Sequence, residues 1–334
     1  PDEHILETQL LTFKGADNET FLLVSVACNH DVLTNIFTSS RVDLYVFEGE
    51  GAGLSLFHST RMDGLVTAAA GFKGKLLMGV NGYMRTYELG IKQLLKKGEY
   101  KHQYGVITSI RISNDRVYMG DSRNSVHLLR YKDGELTELA DDVLPRFLSS
   151  FDLLDHHTVA LVDKFGNFSI LRIPPDSEQE LSEDFMTYKF KWENGYLNGA
   201  PVKFDQLCAY YFQTLQTSIQ KVTFISSQED VLLMGDMHGS IRLMIPFEFK
   251  AELDFFKHLE LYLRLPQDGY PFLTDRDHLS FRSYHASSRG VIDGNLCEQF
   301  IDLNETNQGL IAQNLDRTKG EIIKKLEDFR FKII

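Results

Sequence analysis

The segment from Arg116 to Tyr131, RVYMGDSRNSVHLLRY, is an apolar run, a short polar turn and a second apolar run, the pattern of a β-hairpin. The same grammar returns in KLLMGVNGYMRTY (Lys75 to Tyr87), TVALVDKFGNFSILRI (Thr158 to Ile173) and VLLMGDMHGSIRLMI (Val231 to Ile245). Gly79, Gly120 and Val162 mark equivalent places at intervals of about 40 residues, and Gly235 follows after roughly one further interval plus an insertion of about 30 residues. A repeat of that length made of short strands predicts a β-propeller with one four-stranded blade per period. The tryptophan-aspartate dipeptide of the commonest propeller repeat is absent, and Trp192 is the only tryptophan, so the propeller is not of the WD40 type.

Both strands of each hairpin are apolar at nearly every position, as in VHLLRY and SIRLMI, which predicts burial on both faces. A propeller blade meets that condition because a neighbour packs on each side. The turns carry Asn81-Gly82, Asp121 to Asn124, Gly166-Asn167 and Asp236 to Gly239, residues that tolerate positive φ or bond their own backbone. Asp121, Asp163 and Asp236 recur at matching places, as expected of turn-stabilising residues; a catalytic acid would appear once.

Four blades are expected at residues 7–62, 66–99, 106–140 and 146–173, and a fifth at 206–247, about five in all. The propeller region thus covers 1–247, with an insertion at about 174–204. From Glu248 the period becomes helical: Ala251, Phe255, Leu259 and Leu263 share one face. Asn295 is expected to cap a second helix, Leu310 to Leu315 to lie in another, and Thr318-x-x-Glu321 to form a capping box before the stripe Ile322, Leu326, Phe329 and Ile333. Residues 248–334 therefore read as a small C-terminal helical domain following a mainly β propeller. The chain opens on Pro1 without a methionine, as a fragment or a processed protein would, and has neither a leader-like start nor an apolar run long enough for a membrane span.

A chain of 334 residues with 43% apolar content can bury a large core. Its net charge of −12 opposes generic attraction to phosphate backbones. Cys28, Cys208 and Cys297 are widely spaced and fit a reducing compartment, in which the Asn-x-Ser/Thr triplets at Asn18, Asn167 and Asn304 have no consequence. The Gly49, Gly51, Gly53 cluster lies between two strands with no helix N-terminus behind it, so it predicts a hairpin turn and no phosphate cradle. The 11 histidines make no HxH, HExxH or zinc-type Cys/His spacing; His156-His157 are neighbours expected to point to opposite faces, and His278, His285 and Cys297 could converge in the fold but carry no ligand spacing. Asp277, His278 and Ser280 have the residue types of a triad without a nucleophile elbow. No catalytic, cofactor-binding or metal site is expected.

Three stretches invite partners. The polar loop Asn29 to Ser40 is longer than its counterparts in the later hairpins. The insertion is acidic in its first half and aromatic in its second, where Trp192 and Tyr196 are candidate interface anchors. Between Asp275 and Phe300, Arg276, His278, Phe281, Arg282, Tyr284 and Arg289 combine arginines with aromatics, a composition that suits a protein interface or RNA and, at this net charge, favours protein.

RDHLSFRSY (Arg276 to Tyr284), VIDGNLCEQF (Val291 to Phe300) and LDRTKGEIIKKLEDFR (Leu315 to Arg330) resemble the C-terminal end of the splicing factor 3b subunit 3 family, the large multi-propeller proteins of the particle that recognises the intron branch site. ADDVLPRF (Ala140 to Phe147), DKFGNFSILRIPP (Asp163 to Pro175) and LNGAP (Leu197 to Pro201) resemble the last propeller of the same family, and the likeness runs from about Arg41 to the end. Lys319-Gly320 and Asn295 depart from the family pattern, in which a proline-containing pair and an acid are common. The resemblance implies that the blades seen here belong to a ring of about seven, part of which comes from elsewhere in a longer chain. It further implies a nuclear, non-enzymatic scaffold holding the HEAT-repeat subunit of splicing factor 3b and small subunits, the PHD-finger-like one among them, with little or no direct RNA contact, no cofactor and no membrane. The sister alternatives are a propeller adaptor of a cullin ubiquitin ligase, a direct nucleic-acid reader, and an enzyme with titratable groups converging on a channel or loop face.

Overall fold

The computed structural model describes residues 2–331 except 17–18, 32–33, 35, 50–52, 103–104, 133, 178–199, 201, 225–229 and 265–288. The chain divides into two compact units, Pro1–Val159 with Leu171–Asp205, and Ala160–Ile170 with Gln206–Ile334.

The fold is mainly β, built of five propeller-type blades whose strands follow the order of the chain. The first is β1 (Glu3–Leu11), β2 (Phe21–Cys28), β3 (Ser39–Glu48) and β4 (Gly53–Met62). The second is β5 (Val66–Phe72), β6 (Lys75–Val80), β7 (Tyr83–Glu88) and β8 (Leu95–Lys101). The third is β9 (Ile107–Ser113), β10 (Arg116–Asp121), β11 (Ser125–Lys132) and β12 (Glu135–Asp141). The fourth begins with β13 (Leu148–Leu153), β14 (Thr158–Asp163) and β15 (Asn167–Arg172).

In the first unit β5 packs against both β1 and β9, and β9 against β13, so the opening strand of each blade lies beside the next. The apolar runs are buried on both sides for that reason. Leu76 and Met78 join Phe21, Leu23 and Leu44 in a core between the first two blades. Leu77, between them in sequence, points the other way and joins Ile107, Ile110, Val117 and Met119 in the next core. The repeated glycines permit the closeness of the layers. A Cβ on Gly79 would stand 2.8 Å from the Ile107 Cβ, and one on Gly120 2.8 Å from the Phe151 ring.

Two strands lie where the repeat did not place them. A short β16 (Val202–Lys203) runs parallel to β12 on the outer edge of the third blade. Then β17 (Asp205–Tyr211), which the spacing assigned to the fifth blade, is the fourth strand of the fourth. The insertion therefore interrupts that blade before its last strand. Phe212 N–H donates to the Gly166 carbonyl (2.8 Å), tying the end of β17 to the turn before β15. The fifth blade has three strands among the described residues, β18 (Gln216–Thr223), β19 (Asp230–Asp236) and β20 (Ile241–Met244).

Four α-helices follow among the described residues: α1 (Lys250–Arg264), α2 (Gly294–Glu298), α3 (Glu305–Asn314) and α4 (Lys319–Phe331). Among the described residues, no helix is long and apolar enough to cross a membrane. The capping box forms as read, with Thr318 N–H donating to Glu321 Oε2 (2.8 Å) and Glu321 N–H to Thr318 Oγ1 (3.3 Å). Asn295, in contrast, lies inside the first turn of α2; the cap is Asp293, whose carboxylate accepts from Leu296 N–H (3.3 Å). The buried face of α1 is Phe256, Leu259, Glu260 and Leu263, whereas Phe255 is half-buried and Ala251 exposed, because the first turn overhangs the core. That core gathers Phe256, Leu259 and Leu263 with Leu296, Phe300, Ile311, Ile322 and Leu326. Ile333 lies outside the described residues.

Candidate functional site

The three repeated aspartates all act as turn acceptors. Asp163 Oδ1 accepts from the N–H groups of Phe165 (2.8 Å) and Asn167 (2.9 Å), and Asp236 Oδ1 from those of His238 (2.9 Å) and Ser240 (2.8 Å). Asp121 Oδ1 does the same for Arg123 (2.5 Å) and Asn124 (3.0 Å). One carboxylate oxygen per turn thus takes the N–H groups that the reversing chain leaves unpaired. The blades differ in what meets the other oxygen. Asn167 Nδ2 donates to Asp163 (2.7 Å), and Thr214 Oγ1 and Arg242 Nη2 to Asp236 (3.1 Å each). In the third blade the partner is an imidazole: His102 Nε2 bonds Asp121 Oδ2.

His102 directly follows β8, and its N–H donates to the Gly82 carbonyl (2.9 Å) in the turn of the second blade. That bond brings the chain back over the β10–β11 turn. Gly105 then lies on the carboxylate, where any Cβ would come within 2.7 Å of Asp121 Oδ1. On β11, the His127 ring meets the His102 ring edge-on at 4.7 Å. His127 Nδ1 bonds Glu138 Oε1 (2.6 Å) across to β12, and Tyr100 donates to Glu138 Oε2 (3.1 Å). His102, Asp121 and His127 are all buried. Burial alone pushes the Asp121 carboxyl up, but the His102 bond and the two turn N–H groups outweigh it and hold the group below its ordinary range. Burial likewise opposes the charge on Glu138, and His127 and Tyr100 bring it down on balance. Two carboxyl groups therefore sit inside the blade, each on an imidazole. Such a site is closed to substrate-sized molecules, and its chemistry is that of holding a proton or an ion.

Sequence spacing did not reveal this cluster, since the two histidines are far apart and make no motif. The one local sign is that His127 stands where the equivalent positions hold Ser169 and Arg242. His156 and His157 also differ from expectation. They lie in the β13–β14 turn, not on a strand, with their rings edge-on at 4.9 Å, and Ser113 Oγ and Arg116 Nη1 meet their Nδ1 atoms at 2.8 and 2.9 Å. Glu48 at the end of β3 pairs with Gly53 at the start of β4, so the strands on either side of the glycine cluster are hydrogen-bonded neighbours, while residues 50–52 of it lie outside the described residues.

Of the expected interface residues, Trp192, Tyr196, Arg276, His278, Phe281, Arg282 and Tyr284 lie outside the described residues, as do Asp277, Ser280 and His285. Arg289 is described and exposed. Its N–H and carbonyl pair with Ala209 at 2.8 and 2.9 Å, and the Cys208 thiol donates to the Gly290 carbonyl (3.3 Å). Gly290 has a φ of +67°, and a Cβ there would stand 2.9 Å from the Cys208 sulfur. Arg289 is thereby tied to the edge of β17.

The three cysteines differ in accessibility. Cys28 and Cys208 are half-buried and Cys297 is fully buried. Burial, reinforced by Glu260 and Asp293, pushes the Cys297 thiol far up, so almost no thiolate exists to react. A thiol-specific disulfide reagent is expected to label Cys28 and Cys208 in the native protein, and Cys297 only after the helical core opens. Labelling of Cys297 as fast as Cys28, read by mass spectrometry of the peptides, would contradict that packing.

The sequence matches the model of the family described as "CPSF A subunit region" over residues 1–302. It is 41% identical to "Spliceosome-associated protein 130 A" of Arabidopsis thaliana over 88% of this chain and 24% of that protein. Against "Splicing factor 3B subunit 3" of Drosophila melanogaster the identity is 35% over 98% of the chain and 27% of the relative. Against "Pre-mRNA-splicing factor prp12" of Schizosaccharomyces pombe it is 37% over 95% and 26%. The chain spans about a quarter of the length of these relatives.

Proposed function

The chain belongs to the CPSF A subunit region family, and on that premise we propose that it is the C-terminal part of a non-enzymatic scaffold subunit of the nuclear splicing factor 3b complex. The observation that carries this reading is the likeness to relatives whose names place them in pre-mRNA splicing, over nearly the whole of this chain. The scaffold supports branch-site recognition through protein contacts, binding the HEAT-repeat subunit and small subunits such as the PHD-finger-like one. Two features of the molecule agree with this. The net charge of −12 disfavours a general nucleic-acid surface. Apolar side chains stand out on the first blade, with Ile5, Leu10, Leu54 and Leu56 each more than half exposed. In domain terms, blades over 1–247, interrupted at 174–204, carry a helical domain at 248–334, and partners meet Trp192, Tyr196, Arg276, His278, Phe281, Arg282, Tyr284 and Arg289.

The test is affinity purification of the full-length parent protein from nuclear extract, with mass spectrometry of what is retained. Recovery of the HEAT-repeat splicing subunit and its small companions is expected; recovery of a cullin, or of nucleic acid alone, would overturn the assignment. The double substitution Arg282→Ala, Tyr284→Ala is expected to cut partner recovery steeply, since an arginine or tyrosine anchor is worth about 2 kcal/mol or more at a protein interface. Unchanged recovery would place the interface elsewhere.

A further inference from the structure

The ligating atoms of His102, Asp121 and His127 lie within 4.8 Å of one another, and all three residues are buried. We propose that these residues form a structural binding site for a divalent transition metal of the zinc class, with Glu138 as the carboxylate that positions His127. Two imidazole nitrogens and one carboxylate oxygen suit zinc or cobalt and are a poor set for magnesium or calcium, which take oxygen donors. The turn leaves Asp121 a single oxygen for the ion, because Oδ1 is committed to the N–H groups of Arg123 and Asn124 and Oδ2 faces His102. Glu138 on His127 Nδ1 is the arrangement in which an outer carboxylate sets the tautomer of a ligating imidazole and strengthens it as a donor. That assigns Nε2 of His127 to the metal.

The geometry of the carboxyl groups favours the same assignment: Asp121 faces the ion directly and Glu138 faces it through His127. Asp141 also lies near His127 and Glu138, but it carries the Lys203 ammonium and accepts from Ala200 N–H (3.1 Å), so it is already compensated and stays outside the set. Donors bonded to one ion at about 2.0–2.2 Å in a tetrahedral set stand about 3.4 Å apart, so the metal separates His102 Nε2 from Asp121 Oδ2, taking the place of their direct contact, and brings His127 in as the third donor. None of the other described turn aspartates, Asp163 and Asp236, has an imidazole on it, which marks the site as particular to the third blade and not a property of the repeat.

The experiment uses the metal-stripped intact chain and cobalt(II) alone, followed by zinc(II) competition. Expected are one equivalent of bound cobalt with visible ligand-field bands, displacement by zinc, and a higher unfolding midpoint in zinc. His102→Gln, Asp121→Asn and His127→Gln should each lower the affinity by at least about 100-fold, and Glu138→Gln by about 10–100-fold, as removal of an outer-sphere carboxylate does. X-ray absorption on the cobalt-loaded unsubstituted chain needs no variant to fold and should count two imidazoles. Failure of the unsubstituted chain to bind one equivalent, a count of fewer than two imidazoles, or affinity unchanged in folded His102→Gln and His127→Gln would each overturn the site.

Discussion

Replacement of Phe151 by alanine is expected to destabilise the protein by about 3–5 kcal/mol, the range for deleting a buried aromatic side chain. Phe151 lies on β13, is wholly buried, and sets its ring edge on the bare Cα of Gly120 in the third blade. The Arg111 guanidinium covers the ring at 5.9 Å. Truncation empties the seam between two sheets, each held by its own backbone ladder, so the walls cannot close over the void. The same seam fails from the other side: Gly120→Ala puts a methyl 2.8 Å from the ring and should cost about 1–3 kcal/mol by overpacking. The pair Gly120→Ala, Phe151→Leu should then lose less than the sum of the two single changes, because each removes what the other cannot tolerate. Urea unfolding of the four variants beside the unsubstituted protein measures all of these. A loss below 1 kcal/mol for Phe151→Ala would mean that this seam does not hold the blades together.

That seam shows what a sequence of this kind displays and what it hides. Gly79 and Gly120 were visible as markers of the period, but their reason, the approach of Ile107 and Phe151, depends on the stacking of blades. The hairpins of the third, fourth and fifth blades are legible because each is local: apolar runs flank a turn whose aspartate bonds N–H groups within four residues. The Thr318 to Glu321 capping box was legible on the same ground. Asn295 reads as a cap because the true one, Asp293, stands two residues earlier beside Gly294 and has the look of a turn. The place of β17 was hidden because the insertion separates it from the strands with which it forms a sheet. The meeting of His102 with His127 was hidden more deeply still, since it needs β8 to end over the turn of another blade. Burial of those residues came from tertiary closure; nothing in their immediate neighbours announces it.

Removal of the Glu260 carboxylate should disrupt the helical core as strongly as any single change there. Glu260 lies on the buried face of α1, and its Oε1 accepts from Arg264 Nη2 (2.6 Å) and from Asp293 N–H (2.9 Å). Asp293 in turn caps α2, so one carboxylate ties the end of α1 to the start of the helix that carries Leu296 and Cys297 into the core. A helix of five residues cannot stand without such ties. Glu260→Ala leaves the Arg264 guanidinium without this partner and the Asp293 N–H without this acceptor, at an expected cost of about 3–5 kcal/mol for breaking a buried pair. Because Arg264 keeps 18% of its side-chain surface, the lower end of that range applies. Glu260→Gln retains an acceptor of the same length and should lose only about 1–3 kcal/mol. Replacing both members, Glu260→Leu with Arg264→Leu, should cost less than Glu260→Ala alone, since no charge is then stranded. Denaturant titration with hydrogen exchange on α2, α3 and α4 distinguishes the cases. If the double replacement proves as damaging as Glu260→Ala, the carboxylate acts through something other than this pair, and Asp293 becomes the residue to change next.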